Sequence, residues 1–360
     1  MRISLEARRR FRDLAIGAIC ASLTFFQTSC ASLTYVTQAA AGQDDLNLRA
    51  RNIDDLVLEK RVDARTRRLL SQVAAMKRFG EQHGLKATTN YTKYVRVDRP
   101  AVVWVVSASK PLQFRSRRWT FPFVGSFTYL GWFKLDQARA FATELRRDGW
   151  DVDVRGAGAY STAGFFEDSV LSTMMHEGKE GLGELANTIL HESAHATFFV
   201  HHQSTLNESV ANFIGDTLAA SYLKETIGAD SDETHAYLAS EEKTDRKGLR
   251  LRETYRALHV LYASSKSDEE KTREKTITLT NLRAELGFKR PIGNATLIQY
   301  NTYNSGQAEL GALLDKCGGD WPKFIRTLKR LESQDFPKSE DQEDDISRII
   351  NPMLDAGCTG

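Results

Sequence analysis

The pattern of apolar and polar positions divides the chain into a β-rich middle and a long helical second half. Between Ala64 and Gly84 the apolar residues Leu69, Leu70, Val73, Met76 and Phe79 recur at helical spacing, and Gly84 suits the helix end. The character changes after Pro100. Ala101 to Val106 is rich in β-branched residues and bounded by Pro100 and Ser107, while Trp119 to Phe123 and Ser126 to Phe133 are aromatic-rich and separated by Gly125. These segments read as strands and turns. Leu135 to Arg147 reads as a surface helix closed by Gly149, and Asp151 to Val154 and Gly158 to Thr162 read as two further short strands. From Leu182 onward the spacing is helical: Leu182–Val200, Leu206–Ile227, Asp232–Ser264, Asp268–Leu286, Ala295–Lys316 and Trp321–Glu332, with Gly, Ser or Pro between most of them. The acid-rich run 335–345 reads as a solvated loop. No internal repeat is visible. This order gives an α+β class rather than a βαβ alternation.

The N-terminus follows a different pattern. Arg2, Arg8, Arg9, Arg10 and Arg12 precede an apolar stretch from Leu14 to Phe26, and small residues then surround Cys30 in Gln27-Thr28-Ser29-Cys30-Ala31-Ser32. A charged head, a short apolar middle and a small-residue exit predict a secretory signal over residues 1–30. The apolar run is too short to span a bilayer; the alternative is a buried N-terminal helix. A cysteine directly after a small residue also resembles the acylation site of a bacterial lipoprotein, although Gln27 stands where that pattern prefers an aliphatic residue. The expected product is exported to the periplasm or cell envelope and tethered to a membrane through a lipid on Cys30. Residues 31–45 read as the tether, 46–180 as a helical start plus the β-rich region, and 181–360 as the helical region. Cys20 would leave with the signal, so Cys317 and Cys358 remain, either paired or as two free thiols. Lys plus Arg number 49 against 47 Asp plus Glu, a formal +2, so no basic excess exists to neutralise phosphates and nucleic acid is not an expected partner.

One segment carries recognisable chemistry. Thr188-Ile189-Leu190-His191-Glu192-Ser193-Ala194-His195 contains H-E-x-x-H within a predicted helix that no Pro or Gly interrupts over residues 184–200. Two histidines four residues apart lie about 40° apart around a helix, so both imidazoles can reach one ion. Glu192 projects beside that ion, where it can hold and deprotonate a water. The alternative is a surface helix with two solvated histidines. Leu185, Ile189, Leu190, Ala194, Phe198 and Phe199 argue for burial instead, and buried polar groups need partners or a metal. A catalytic zinc ion needs a third protein ligand and an open position. Glu208 lies at the start of the next predicted helix, with twelve residues between it and His195, and a helix–loop–helix return would bring it to face the histidines. Asn212, one turn further, could accept a hydrogen bond from a ligand histidine's outer N–H. Glu208 could instead serve a helix N-terminus, and His201 and His202 are rival ligands.

This H-E-x-x-H with a downstream Asn-Glu pair resembles the gluzincin metallopeptidases, in which two helices supply His, His and Glu. Asn212 stands where thermolysin-like enzymes carry an aspartate, and the spacing to Glu208 is shorter than theirs. A wider resemblance is to a bacterial family of predicted aminopeptidases. It rests on Tyr35-Val36-Thr37-Gln38-Ala39-Ala40-Ala41-Gly42-Gln43, Trp119-Thr120-Phe121-Pro122-Phe123-Val124-Gly125, Ala159 to Asp168, the metal motif, and Cys317-Gly318-Gly319-Asp320-Trp321-Pro322. The resemblance implies a zincin-like fold and a secreted or lipid-anchored peptidase. It would use one Zn2+ ion, with His191, His195 and Glu208 as ligands and Glu192 as the general base.

The substrate side is less defined. A peptide could pair with an edge strand at Gly156 to Thr162; an interior strand is the alternative. Glu167 and Asp168 could hold a substrate's free amine or could cap the following helix. Tyr160, Tyr300 and Tyr303 are candidate donors to an oxyanion, though aromatics at such spacing also form cores. Arg115, Arg117 and Arg118 could meet anionic lipid or cell wall, or form a solvated loop. The expected function is therefore a zinc-dependent aminopeptidase acting on peptides. The alternatives are an endopeptidase with the same site and a non-catalytic envelope lipoprotein with structural zinc.

Overall fold

The computed structural model describes residues 34–121, 125–160, 167–201, 203–303, 306–331 and 346–358. The proposed signal, Cys30 and the acid-rich run 335–345 lie outside them. Residues 34–49 form the first helix, α1, where the sequence suggested a tether reaching residue 45. The small, alanine-rich composition is helix-compatible, and tertiary contacts hold the segment in place. The Tyr35 ring packs on Phe121 and Trp132 at 5.3 and 5.6 Å. Gln38 bonds Gly131 O at 3.1 Å and accepts from Phe133 N at 3.0 Å.

A short strand β1 (Arg51–Asn52) and helix α2 (Ile53–Leu56) lead into α3 (Ala64–Gln82). The side chain of Asp63 caps α3 by accepting from Thr66 N. The β-rich middle holds β2 (Lys93–Val95), β3 (Val103–Ser109), β4 (Trp119–Phe121), β5 (Gly125–Phe127) and β6 (Tyr129–Trp132), then helix α4 (Leu135–Arg147) and β7 (Asp151–Ala157). Strands β6, β3 and β7 form one antiparallel sheet in that order, and β4 pairs with β5. A third sheet joins β1, β2 and β8 (Val170–Leu171). The expected strand from Gly158 to Thr162 is not seen over its described part: β7 ends at Ala157. Gly158 instead passes against Thr173, where a Cβ would fall 2.6 Å from a backbone oxygen.

The second half contains α5 (Gly181–Thr197), α6 (Ser204–Ile227), α7 (Asp232–Ala263) and α8 (Asp268–Leu286). The expected long helix over Ala295–Lys316 is two helices, α9 (Asn294–Tyr303) and α10 (Gln307–Lys316). Gly306 separates them in the left-handed region at φ 69°, which a β-carbon disfavours. Helices α11 (Trp321–Leu328) and α12 (Ser347–Ala356) complete the chain. The whole is a mixed α+β fold. One core runs from Leu46 through Val105, Leu190 and Ile214 to Ile350, so it crosses the boundary expected near residue 180. A smaller cluster lies between α4 and the outer face of the β3 sheet. Among the described residues, no helix is long and apolar enough to cross a membrane.

Cys317, just after α10, is bonded to Cys358, just after α12, with their Cα atoms 5.1 Å apart. The link closes a loop of 41 residues. Replacing both cysteines by serine should lower stability by about 2–4 kcal/mol, measured by denaturant unfolding. An unchanged midpoint would show that α12 is held by packing alone.

Candidate metal centre

The H-E-x-x-H motif lies on α5, whose buried residues include Leu185, Ala186, Ile189, Leu190 and Ala194. Hydroxyls on this helix bond back to it: Ser193 donates to Ile189 O and Thr197 to Ser193 O. The helix stops at Thr197, Phe198 is extended, and α6 begins at Ser204. Asn207 organises the return. Its buried amide donates to Val200 O and accepts from Val200 N, both at 2.8 Å. Both polar groups of a buried loop residue are thereby satisfied, and the next residue is Glu208.

Contacts between the two helices run in opposite chain directions. Glu208 meets His191 and His195, Gly215 meets His191 and Asn187, and Asp216 meets Asn187. The pair is therefore antiparallel. Gly215 permits the close approach, because a Cβ there would fall 2.7 Å from Asn187 Oδ1 and 3.1 Å from His191 Cβ.

Three ligand atoms converge as a result. His191 Nε2 and His195 Nε2 lie 3.2 Å apart, and each is 3.6 Å from Glu208 Oε2. A tetrahedral zinc ion with bonds of about 2.0–2.1 Å spaces its ligand atoms about 3.3–3.4 Å apart. The circle through the three atoms has a radius of about 2.0 Å, so such an ion fits this donor set. Among the described residues, no second group of three His, Cys, Asp or Glu side chains comes together this way.

Electrostatics favour a cation here. Burial opposes ionisation of Glu208, but hydrogen bonds to His191 and His195 outweigh it and hold the carboxyl down at about 2. Burial also disfavours protonated His191, yet its bond to Glu208 and the charges of Glu192, Glu208 and Asp216 raise it above its ordinary 6.5. Behind the site, Asn187 donates to Asp216 Oδ1 at 2.7 Å and to Tyr237 Oη on α7 at 2.9 Å. The Asp216 carboxyl is hydrogen-bonded to that of Glu241, also on α7. Two carboxyls in contact need a proton between them. Burial first, then the charge of Asp216, pushes Glu241 up to about 9, so Glu241 carries that proton at neutral pH.

The other expected residues separate into groups. Glu192 is half-buried, and its charge acts on His191, Tyr91 and Tyr129. Tyr91 is buried and, among the described residues, the one non-glycine with positive φ, 62°. Its N–H donates to Asp168 O at 2.7 Å. Burial, then Glu192 and Asp168, push its phenol well above 10, so Tyr91 stands between these two acids. Asp168 is buried, whereas Glu167 is exposed and lies 3.8 Å from Lys93 Nζ. Tyr160 packs on Phe133 at 5.3 Å, and burial, then Tyr35 and Asp168, bring it to about 12. Tyr300 packs on Phe288 in a separate core cluster. His201 is exposed with its ring against Phe199. Asn212 is half-buried one turn beyond Glu208. His202 and the Tyr303 side chain lie outside the described residues.

Sequence reasoning missed four contributors. Asp216 and Gly215 share helix α6 with Glu208, and Asn187 precedes His191 by one turn, so helical spacing was an available signal for these three. Tyr129 comes from a distant strand and carried no local signal. Its side chain is 43% exposed. The phenol end is nonetheless crowded by protein, and burial, then the charges of Glu208 and Glu192, raise it while Arg155 opposes.

A family model described as "Putative aminopeptidase" matches residues 34–343. The chain belongs to this putative aminopeptidase family. The matched span contains α5, α6 and all three converging ligand residues. Comparison with curated proteins and with solved structures gave no match.

Two outcomes follow from this geometry. Asn207→Leu leaves the Val200 N–H unpaired, at a cost of about 1–3 kcal/mol, and leaves Val200 O only its 3.3 Å bond from Gln203 N–H; it should weaken affinity for a divalent cation measured by chelator competition. Unchanged affinity would show that the loop clamp does not set the position of Glu208. The second outcome concerns pH in metal-free protein. Glu208, lowered, stabilises the fold above about pH 4.5 and loses that contribution as pH falls toward 2. His191, raised, contributes below about pH 6.5 and loses it as pH rises through its higher folded value. Glu208→Gln should therefore cost on the order of 1–3 kcal/mol between these limits and less on either side, read from urea unfolding. A loss independent of pH would refute the pairing.

Proposed function

We propose that the protein is a zinc-dependent aminopeptidase with a gluzincin-like site in a zincin-like fold. The observation that carries this reading is the convergence of His191, His195 and Glu208 on a circle of about 2.0 Å radius. Membership of the aminopeptidase family supports the substrate class. Two imidazoles and one carboxylate suit zinc well. When bound, zinc supplies Lewis acidity that makes water a nucleophile near neutral pH.

The chain's own residues supply the rest. His191 and His195 bind through Nε2, and Asn212 is the group proposed to accept an outer imidazole N–H and fix its tautomer. Glu208 stays ionised far below neutral pH and offsets the ion's charge. Glu192 holds the attacking water, removes its proton and returns that proton to the leaving amine. Asp168 is the acid proposed to fix the substrate's amino group, since it shares Tyr91 as a neighbour with Glu192; Glu167 and Tyr160 would line the approach. The main chain of the peptide would pair along β7, an outer strand of its sheet, near Gly156 and Ala157. Export and a membrane tether through Cys30 belong to the same reading. The Cys317–Cys358 bond supports them, because such bonds persist where thiols are oxidised.

Glu192→Gln should retain one zinc per chain and lose at least about 100-fold in kcat, with peptides bearing a free amino group cleaved by wild type and N-terminally blocked ones spared. Zinc content by metal analysis and hydrolysis by chromatography are the measurements. Full activity in the variant would refute the mechanism.

A further inference from the structure

The faces of the sheet of β6, β3 and β7 are fixed by register. Tyr129 pairs with Ser107 and Gly131 with Val105; Ser107 pairs in turn with Asp153, and Val105 with Arg155. Side chains alternate along a strand, so Tyr129 and Arg155 share one face. Val103 and Val105 on that face belong to the core built with α5 and α6. Val106, Leu130 and Trp132 on the opposite face pack with α4. Tyr129 and Arg155 therefore lie on the face that joins the core containing α5 and α6. Helix α9 covers the β7 side, where Arg155 Nε donates to Gln299 Oε1 at 2.6 Å.

Among the described residues, two donors on this face lack an acceptor. The Tyr129 hydroxyl makes no hydrogen bond there, although Glu208 and Glu192 both act on it. Arg155 makes its one hydrogen bond through Nε, and its terminal nitrogens have neither a hydrogen bond nor an ion pair among the same residues. The nearby acids of β7 have other ion-pair partners, Asp153 Oδ1 with Arg290 and Asp151 with Lys275, although the Arg155 charge also acts on Asp153. Arg155 is half-buried and acts electrostatically on Tyr129, as do Glu208 and Glu192. The terminal nitrogens of half-buried Arg155 are suited to oxygen atoms that a ligand brings, and paired guanidinium nitrogens match a carboxylate, while the exposed Tyr129 side chain is open to a ligand from solvent.

We propose that Tyr129 donates a hydrogen bond to the carbonyl oxygen of the peptide bond being cut, and that Arg155 receives a carboxylate of the same substrate. The enzyme would then prefer short peptides with a carboxylate, from the free C-terminus or an acidic side chain, within a residue or two of the cut. This rests on the peptidase reading above and adds a substrate class to it. Tyr129 is a catalytic residue in this account, and Arg155 determines specificity.

The test compares di- and tripeptides ending in a carboxylate with the same peptides ending in a carboxamide. A third set of amides carries aspartate beside the scissile bond, and distinguishes a side-chain carboxylate from a terminal one. Wild type should favour a carboxylate by at least about 10-fold in kcat/KM. Arg155→Met should bring that ratio toward unity, and Arg155→Lys should keep part of it. Tyr129→Phe should lower kcat by about 100-fold on every peptide, with zinc content and the carboxylate preference intact. Binding is read separately by calorimetry in zinc-loaded Glu192→Gln protein, where the acid should bind at least about 10-fold more tightly than the amide. Equal cleavage and equal binding of acid and amide by proteins with native Arg155 would overturn the carboxylate site while leaving the peptidase reading intact, and they need no variant of Arg155. An unchanged kcat in Tyr129→Phe would overturn the donor role. If zinc-loaded wild type cleaves no peptide, the peptidase reading and the Tyr129 role fall together, and the calorimetric comparison still decides whether Arg155 selects carboxylates.

Discussion

Two imidazoles from one helix can share an ion with a carboxylate from another only if the helices lie close together and in a single register. The contact between α5 and α6 meets both conditions. Gly215 removes the side chain that would hold the helices apart beside His191. Asn207 ties the start of α6 to Val200, and Asn187 ties its middle to Asp216 while also bonding Tyr237 on α7. The three converging side chains, which could hold a metal ion, thus sit between two polar anchors on helices packed through apolar side chains. Buried polar groups of this kind add directionality that apolar packing lacks.

The sheet and the helices are not independent bodies around this site. Val103 and Val105 of β3 share a continuous core with Leu190 and Ile214, and α9 packs against β3, β7 and α6, so one body of hydrophobic packing joins the inner face of the sheet to the α5–α6 pair. A phenol and a guanidinium on rigid strands can hold a ligand more accurately than the same groups on a loop.

Much of the centre was legible from spacing alone. His191 and His195 are four residues apart on an uninterrupted helix, and the distance to Glu208 fits a short return, so local periodicity sufficed to bring three ligands together. Helix limits such as Leu135–Arg147 and Asp268–Leu286 were equally clear, because each amphipathic run ends at a glycine or a polar cap. Other features depend on distant partners. Helix α1 looked like a tether because its polar surface says nothing of Phe121 and Trp132, which receive Tyr35. Strands β1, β2 and β8 are two or three residues long and give no measurable alternation. The partnership of Cys317 with Cys358 required knowing where α12 returns. Tyr129 and Arg155 share a sheet face through strand register, which no local pattern encodes.

The Asn207 clamp has a consequence for how this region can vary. Because it grips Val200 and immediately precedes Glu208, the carboxylate is positioned by counting from the loop and not from the far end of α6. A residue gained or lost between 201 and 203, ahead of the helix, alters only the connection, provided the clamp re-forms. The same change between 209 and 214 turns the remainder of α6 by about 100°, parting Asp216 from Asn187 while Glu208 keeps its place. Length variation among relatives should therefore be tolerated on one side of this asparagine and excluded on the other.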